Sequence, residues 1–305
     1  MKAIRIHQFG DANTLQLEDA PNINVAGDQL LVRVRAAGVN PIDWKIRQGY
    51  MKDVMPTKFP LTIGQDFAGE VVDKGKSVTQ FAKGDRVFGF AHGAYAEFAA
   101  APGSTVAKIP DGVDFATAAA LPTAGLTALQ IIRDFVRANP GMTILIHGAA
   151  GGVGSFASQI AKNSGARVIG TATGDDIQYL KSIGVDEVID YKRERFEEKV
   201  HNVDAVVDLV GGDTAARSYG VVKRGGVLVS TVQAPDGAVA QRAGIRAERI
   251  VMKRNSADLA ELAQLVAKGA VRPRMDKTLS LSQAKEAQAL SEEGKTEGKV
   301  ILKVA

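Results

Sequence analysis

Ile144-Leu145-Ile146-His147-Gly148-Ala149-Ala150-Gly151-Gly152-Val153-Gly154-Ser155 is the stretch on which the fold turns. Thr143 to His147 is a short apolar run that reads as a buried strand. Glycines follow, and Ser155 to Asn163 has helical character, with its N-terminus near Gly152-Val153. A glycine-rich loop between a strand and a helix is the context a dinucleotide site requires. Gly151 would let the backbone approach a pyrophosphate, and Gly154 would let helix and strand come close. The free N–H groups at the helix start favour an anion. Ala149 stands where G-x-G-x-x-G has its first glycine, so Ala150, Gly151, Gly152, Val153 and Gly154 are the candidate cradle.

Outward from this loop, strand and helix alternate. Strands are expected at Arg167–Thr171, Glu187–Ile189, Ala205–Val210, Val227–Thr231 and Arg249–Met252, and a helix at Asp176–Ser182. That alternation predicts βαβ units and a parallel sheet. Before it, Lys2–Ile6, Gln29–Ala36, Gly69–Lys74, Asp85–Phe90 and Ala94–Ala99 read as short strands between Gly and Pro signals, which suits a barrel-like β unit. Phe115 to Ile132 carries no charge, but Thr117, Thr123, Thr127 and Gln130 are polar and Pro122-Thr123-Ala124-Gly125 interrupts it. Two buried helices fit this stretch better than a membrane span. After it, helices are expected at Ala257–Lys268 and Ser282–Glu293, then a closing strand at Lys299–Val304.

The 305 residues suffice for about two domains. Cysteine is absent, which excludes disulfides, thiolate metal sites and thiol nucleophiles. His7, His92, His147 and His201 are the only histidines, and no two have metal-ligand spacing. The net charge of +4 suits an anionic ligand. The basic clusters at 192–195, 246–254 and 272–277 read as solvated faces, so no nucleic-acid partner is expected. No targeting segment is visible and a cytoplasmic location is expected.

At the end of the second strand of the parallel sheet, an NAD enzyme usually carries an acid for the ribose. Ala172 stands there, with Thr171 and Thr173 as hydrogen-bond donors, and Tyr191, Lys192 and Arg193 lie at the next strand end. This favours NADP(H), although Asp175 and Asp176 follow closely.

Gly38-Val39-Asn40-Pro41-Ile42-Asp43, Gly64-Gln65-Asp66-Phe67-Ala68-Gly69-Glu70-Val71-Val72 and Lys83-Gly84-Asp85-Arg86-Val87-Phe88-Gly89 resemble the medium-chain dehydrogenase/reductase superfamily. Ala120 to Ala128, the loop from Ala149 to Gly154, and Gly184 to Tyr191 continue the resemblance in order, over nearly the whole chain. The branch it is most similar to is the zinc-free, zeta-crystallin-like NADPH:quinone oxidoreductases.

The resemblance implies an α/β fold: a GroES-like β-barrel domain over residues 1–122, a doubly wound Rossmann domain over 123–270, and a return to the first domain over 271–305, with the cleft between the two domains. Zinc-dependent relatives place Cys and His where this chain has Asn40 and Gln65, so no metal is expected. The implied activity is NADPH-dependent hydride transfer to quinones or similar activated carbonyls. An enoyl or alkenal reductase is the nearest alternative, and a non-catalytic NADPH-binding structural or RNA-binding protein is an alternative of another class.

The expected site residues follow from the same source. Asn40 and Gln65 would donate to a substrate oxygen, and Tyr50 is a candidate proton donor. Asp43 would order its loop or touch the cofactor. Thr123, Thr127, Val210, Gly211, Ser230, Thr231 and Val232 would lie at the nicotinamide and ribose. The partner is a small electrophilic molecule. A homodimer through the edge of the Rossmann sheet is expected, with Val227 to Val232 as the candidate strand.

Overall fold

The computed structural model describes residues 1–304. The chain runs through β1 (Lys2–Ile6), β2 (Gln16–Asp19), β3 (Gln29–Gly38), α1 (Pro41–Arg47), β4 (Leu61–Thr62), β5 (Asp66–Lys74), β6 (Arg86–Phe90), β7 (Phe98–Pro102), β8 (Val106–Lys108), α2 (Phe115–Ala119) and α3 (Pro122–Gln130). It continues through β9 (Thr143–His147), α4 (Gly152–Asn163), β10 (Arg167–Ala172), α5 (Asp176–Ser182), β11 (Glu187–Asp190), α6 (Phe196–Lys199), β12 (Val203–Asp208), α7 (Gly212–Ser218), β13 (Val222–Ser230), α8 (Gly237–Ala243) and β14 (Arg246–Arg249). It closes with α9 (Ser256–Ala267), β15 (Met275–Ser280), α10 (Ala284–Glu292) and β16 (Lys299–Lys303).

Two compact units result. The first takes Met1–Ala124, Arg254–Lys268 and the chain from Pro273 onward; the second takes Gly125–Lys253 and Gly269–Arg272. A boundary at residue 270 would put residues 257–268 with the parallel sheet, whereas the structure puts them in the first unit. The apolar face of α9 accounts for this. Leu259, Leu262 and Ala263 recur at helical spacing and are buried, and α9 lies against β8 of the first unit.

In the first unit, β16, β3, β5, β6 and β8 pair in that order, with β15 beyond β16 and β7 on β3. A separate small sheet has the order β2-β1-β4. The core of this unit includes Ile4, Leu30, Val34, Phe67, Tyr95 and Leu302. The strand expected at Ala94–Ala99 begins only at Phe98, because Ala94 and Tyr95 give their N–H groups to Gly64 and Ile63.

The second unit is a six-stranded parallel sheet of order β11-β10-β9-β12-β13-β14. The order reverses direction between β9 and β12, the place where open α/β sheets bind ligands beyond the strand ends. Ile144, Leu145 and Ile146 make β9 apolar because it is central and covered on both faces. The strand expected at Ala205–Val210 ends at Asp208, whose carboxylate accepts from the Val210 and Gly211 N–H groups and turns the chain. The last strand spans Arg246–Arg249 and not Arg249–Met252, since Ile250 makes the final ladder bond to Ser230. Val227 to Ser230 does not form an edge: β13 pairs with β12 on one side and β14 on the other. Among the described residues no helix is long and apolar enough to cross a membrane.

Candidate active site

In the second unit, β9 ends at His147 and Gly148 turns the chain with φ of 67°. Gly151 caps α4 with extended backbone and is exposed, while Gly152 and Val153 are half-buried and Ala150 is buried. A Cβ at Gly154 would stand 2.1 Å from the Gly148 carbonyl oxygen, so this glycine is what lets α4 rise directly from the loop. A Cβ at Gly151 would meet nothing nearer, among the described residues, than that same oxygen at 3.3 Å. The space in front of Gly151 is open, as a cradle for a pyrophosphate requires.

Thr171 is not available as a phosphate donor. It is buried, its hydroxyl is 3.2 Å from His147 Nδ1, and it accepts from the Gly148 N–H at 3.4 Å. His147 also meets Ser218 Oγ at 3.0 Å, and burial pushes its pKa down to about 4, so it is neutral at pH 7. Thr173 lies just beyond the strand end and is half-buried. Tyr191 is exposed and its N–H bonds the Ala172 carbonyl, which brings the 191–193 corner beside Ala172.

Asp208 organises the other side of the switch point. It is buried and accepts from Ser230 Oγ at 2.8 Å as well as from the turn it caps. Ser230 accepts in turn from the Val232 N–H, so its hydroxyl is held within the sheet edge and is not free for a ribose. Val210 and Val232 are about half exposed, and Thr231 is half-buried. Gly211 has φ of 82° and a Cβ there would touch Val232 Cγ1 at 2.9 Å. Thr127 lies half-buried on α3 in this unit.

In the first unit, the residues expected at the substrate come together with partners that the linear pattern hides. Asn40 precedes α1, and its N–H donates to Asp43 Oδ2 at 2.8 Å. Its Nδ2 donates to Asp66 at 2.8 Å and its Oδ1 accepts from Lys299 Nζ at 2.5 Å. Asp66 also accepts from the N–H and hydroxyl of Thr123, at 2.9 and 2.6 Å. Tyr95 donates to Asp43 Oδ2 at 2.9 Å, and Asp43 Oδ1 is buried without a partner among the described residues. Asp43 is therefore sealed within the protein and orders its loop; it does not present an oxygen to a cofactor. Thr123 likewise spends its hydroxyl on Asp66.

Asn40, Asp43, Asp66 and Lys299 are all buried. Burial raises the pKa of both carboxylates, and Lys299 opposes the rise at Asp66. Burial lowers Lys299, and the two carboxylates oppose that. Asp66, with Asn40, Thr123 and the nearby ammonium around it, is the anion of the group. Asp43 has fewer donors and rises to about 7. Arg47 anchors α1 from the other end: it is wholly buried and donates to Gly10 O, Gln288 and Glu292.

Gln65 is 5% exposed, and its Oε1 accepts from Arg254. The guanidinium of Arg254 stacks on Phe90, 4.6 Å from the ring centroid. Gln65 also lines a cavity of about 240 Å³ with Ile46, Met55, Leu61, Ile63 and His92. Tyr50 does not join this group: it is 67% exposed and packs edge-on against Trp44 at 6.0 Å. Among the described residues, no three His, Asp or Glu side chains stand together as a metal site.

A family model of the alcohol dehydrogenase GroES-like domain matches residues 26–111, and one of zinc-binding dehydrogenases matches residues 183–302. The quinone oxidoreductase of Coxiella burnetii is 38% identical, with a TM-score of 0.91 over 100% of this chain and 99% of that one. The chain belongs to the quinone oxidoreductase-like branch of the medium-chain dehydrogenase/reductase superfamily. The Escherichia coli quinone oxidoreductase complexed with NADPH is 29% identical, with a TM-score of 0.90 over 99% of this chain and 100% of that one. The 2-methylene-furan-3-one reductase of Solanum lycopersicum is 34% identical over 99% of this chain and 79% of its own length. The first unit is thus the GroES-like domain and the second the Rossmann domain of an NADP-dependent oxidoreductase.

Lys299, Arg254 and Asp208 join the candidate site through their hydrogen bonds and were not expected from the sequence. Asp208 had a local signal, an acid at a strand end before Val210-Gly211. Lys299 and Arg254 had none, because their partners lie 259 and 189 residues away.

Proposed function

We propose that the chain is a metal-free, NADPH-dependent reductase of quinones and related activated carbonyls. The observation that carries this is the capture of both amide oxygens, at Asn40 and Gln65, by cationic side chains. A zinc ion would need free, electron-rich donors at these positions. Amides are weak ligands, and an ammonium and a guanidinium on their oxygens repel a dication. The residues present do not fit zinc.

They do fit a dinucleotide. The N–H groups of Gly152 and Val153 belong to the first turn of α4, where a helix offers donors to an anion, and Val210, Gly211 and Val232 shape the sheet edge. The preference for NADP(H) is supported by Ala172, which carries no charge to repel a 2′-phosphate, and by the exposed 191–193 corner beside it. NADPH supplies a hydride. With one proton from water, the acceptor quinone becomes a hydroquinone and NADPH becomes NADP⁺. An unactivated alcohol would require a Lewis acid to lower its hydroxyl pKa, and these side chains are unsuited to hold one. An electron-poor acceptor requires only position and stabilisation of negative charge on oxygen.

The Solanum lycopersicum relative reduces an enone by its name, and the same electrostatics would serve a conjugated C=C, where charge also develops on the carbonyl oxygen. Among the described residues, the outer edge of β14 is unpaired, which supports a homodimer formed through that edge. The test is NADPH and NADH oxidation against a quinone, an enone and a simple aldehyde, with and without a chelator. Chelator-insensitive turnover with NADPH and the quinone or enone is expected. Turnover that collapses with chelator, or confined to the aldehyde, would refute the reading.

A further inference from the structure

We propose that Arg254 is a positioning residue that fixes Gln65 as the hydrogen-bond donor to the acceptor's oxygen, and that Asn40 is scaffold. This rests on the reductase reading above. The two amides differ in what remains free. Asn40 is 2% exposed, its Oδ1 holds Lys299 and its Nδ2 holds Asp66. Gln65 uses its Oε1 alone. Its Nε2 has no protein partner among the described residues, yet it is not among the sealed, unpaired polar atoms. Gln65 also lines the cavity.

An isolated amide presents either end with similar ease. A charge-assisted bond from Arg254 to Oε1 favours one orientation by about tenfold to a hundredfold. That orientation leaves the N–H end for a ligand. The cation also draws electron density from the amide and makes Nε2 a stronger donor. Arg254 is itself held by the face of Phe90. Its carboxylate neighbours do not compete for it, since Asp66 and Asp43 are engaged by other donors.

The cavity adds a substrate class. At about 240 Å³ with Ile46, Met55, Leu61 and Ile63 in its walls, it is smaller than the roughly 300–1,000 Å³ of most small-molecule sites. The ring of a one- or two-ring quinone, or a short enone, suits it.

The test is a double-mutant cycle on Gln65→Met and Arg254→Met with NADPH and 2-methyl-1,4-naphthoquinone, beside a titration of the NADP⁺-saturated protein with 4-nitrophenolate as an oxyanion probe. Gln65→Met should lower kcat by about 10²- to 10³-fold, the effect of losing one oxyanion donor. Arg254→Met should lower kcat about tenfold, and the double variant should match Gln65→Met. Arg254→Lys should restore most of the loss, and the phenolate band should shift with the wild-type protein but not with Gln65→Met. Losses that multiply, or a wild-type phenolate shift in Gln65→Met, would overturn the proposal. If the wild type reduces no quinone, the reductase reading falls, while the phenolate titration still decides the role of Gln65. Should Arg254→Met not fold, Arg254→Gln serves in the same cycle.

Discussion

Gly151 and Gly154 stand three residues apart in one loop, yet alanine at each should fail for a different reason. At Gly154 the new Cβ would lie 2.1 Å from Gly148 O and 2.8 Å from Ala149 Cα, both backbone atoms. An ordinary contact needs about 3.4 Å or more, so the loop must move by more than an ångström. Overpacking of this kind costs about 1–3 kcal/mol, and shifting Gly148 also threatens the bond it accepts from the Gly151 N–H. The better helix propensity of alanine returns about 1 kcal/mol. The net expectation for Gly154→Ala is a loss of about 1–3 kcal/mol, or roughly 2–8 °C in Tm.

At Gly151 the backbone has φ of −70° and ψ of 179°, which alanine adopts freely, and the nearest atom to its Cβ is at 3.3 Å. As a helix cap, alanine costs about 1 kcal/mol or less relative to glycine. Gly151→Ala should therefore fold almost normally. Its methyl group would fill the open side of the cradle, and NADPH affinity should fall at least tenfold. Thermal unfolding and an NADPH fluorescence titration on both variants separate the two effects. Wild-type NADPH affinity in Gly151→Ala would show that this loop is not the cradle. Wild-type stability in Gly154→Ala would refute the packing argument.

Other outcomes follow from the buried network. Because Asp43 has a pKa of about 7 in the fold against an ordinary 3.8, the folded state binds its proton more tightly than the unfolded state. Its contribution is complete below about pH 4, declines as pH rises to 7, and is constant above; the span is on the order of 4 kcal/mol at most. Asp43→Asn should flatten the urea-unfolding free energy over that window, and curves parallel to wild type would refute the assignment. Lys299→Met removes the ammonium from Asn40 and the neighbouring Asp66 and should cost about 3–5 kcal/mol; a loss below about 1 kcal/mol by the same assay would mean that the network is not ionised as described. Lys192→Glu, at the exposed corner beside Ala172, should weaken NADPH about tenfold and leave NADH nearly unchanged. Equal changes for both cofactors, measured by calorimetry, would remove this corner from 2′-phosphate recognition.

What was legible in the sequence was local. The Gly-rich loop between β9 and α4 is a contiguous pattern, and α5 occupies the expected Asp176–Ser182. Strand ends were less legible wherever a side chain or a distant segment terminates the ladder. Asp208 stops β12 two residues early through its own carboxylate. Ala94 and Tyr95 are diverted to residues 63 and 64, which have no sequence signature as a partner. At the site, Asn40 and Gln65 could be named, but not their states. Both were expected to donate to a ligand, and only the fold reveals that both ends of Asn40 are already engaged.

In the reading proposed above, the two amides let a site without a metal keep an electrostatic purpose. A dication attracts negative charge developing on a ligand's oxygen. Here the positive charge is supplied by Lys299 and Arg254, each delivered through an amide carbonyl. Lys299 is compensated by the buried Asp66 and Asp43, so its field is largely spent on the scaffold. Arg254 makes no direct ion pair among the described residues; it rests on Gln65 and the ring of Phe90. The same two carboxylates act on Arg254, but the amide it holds is the one that lines the cavity. In the proposal, access to the cavity, more than the cation behind each amide, assigns donation to Gln65 and support to Asn40.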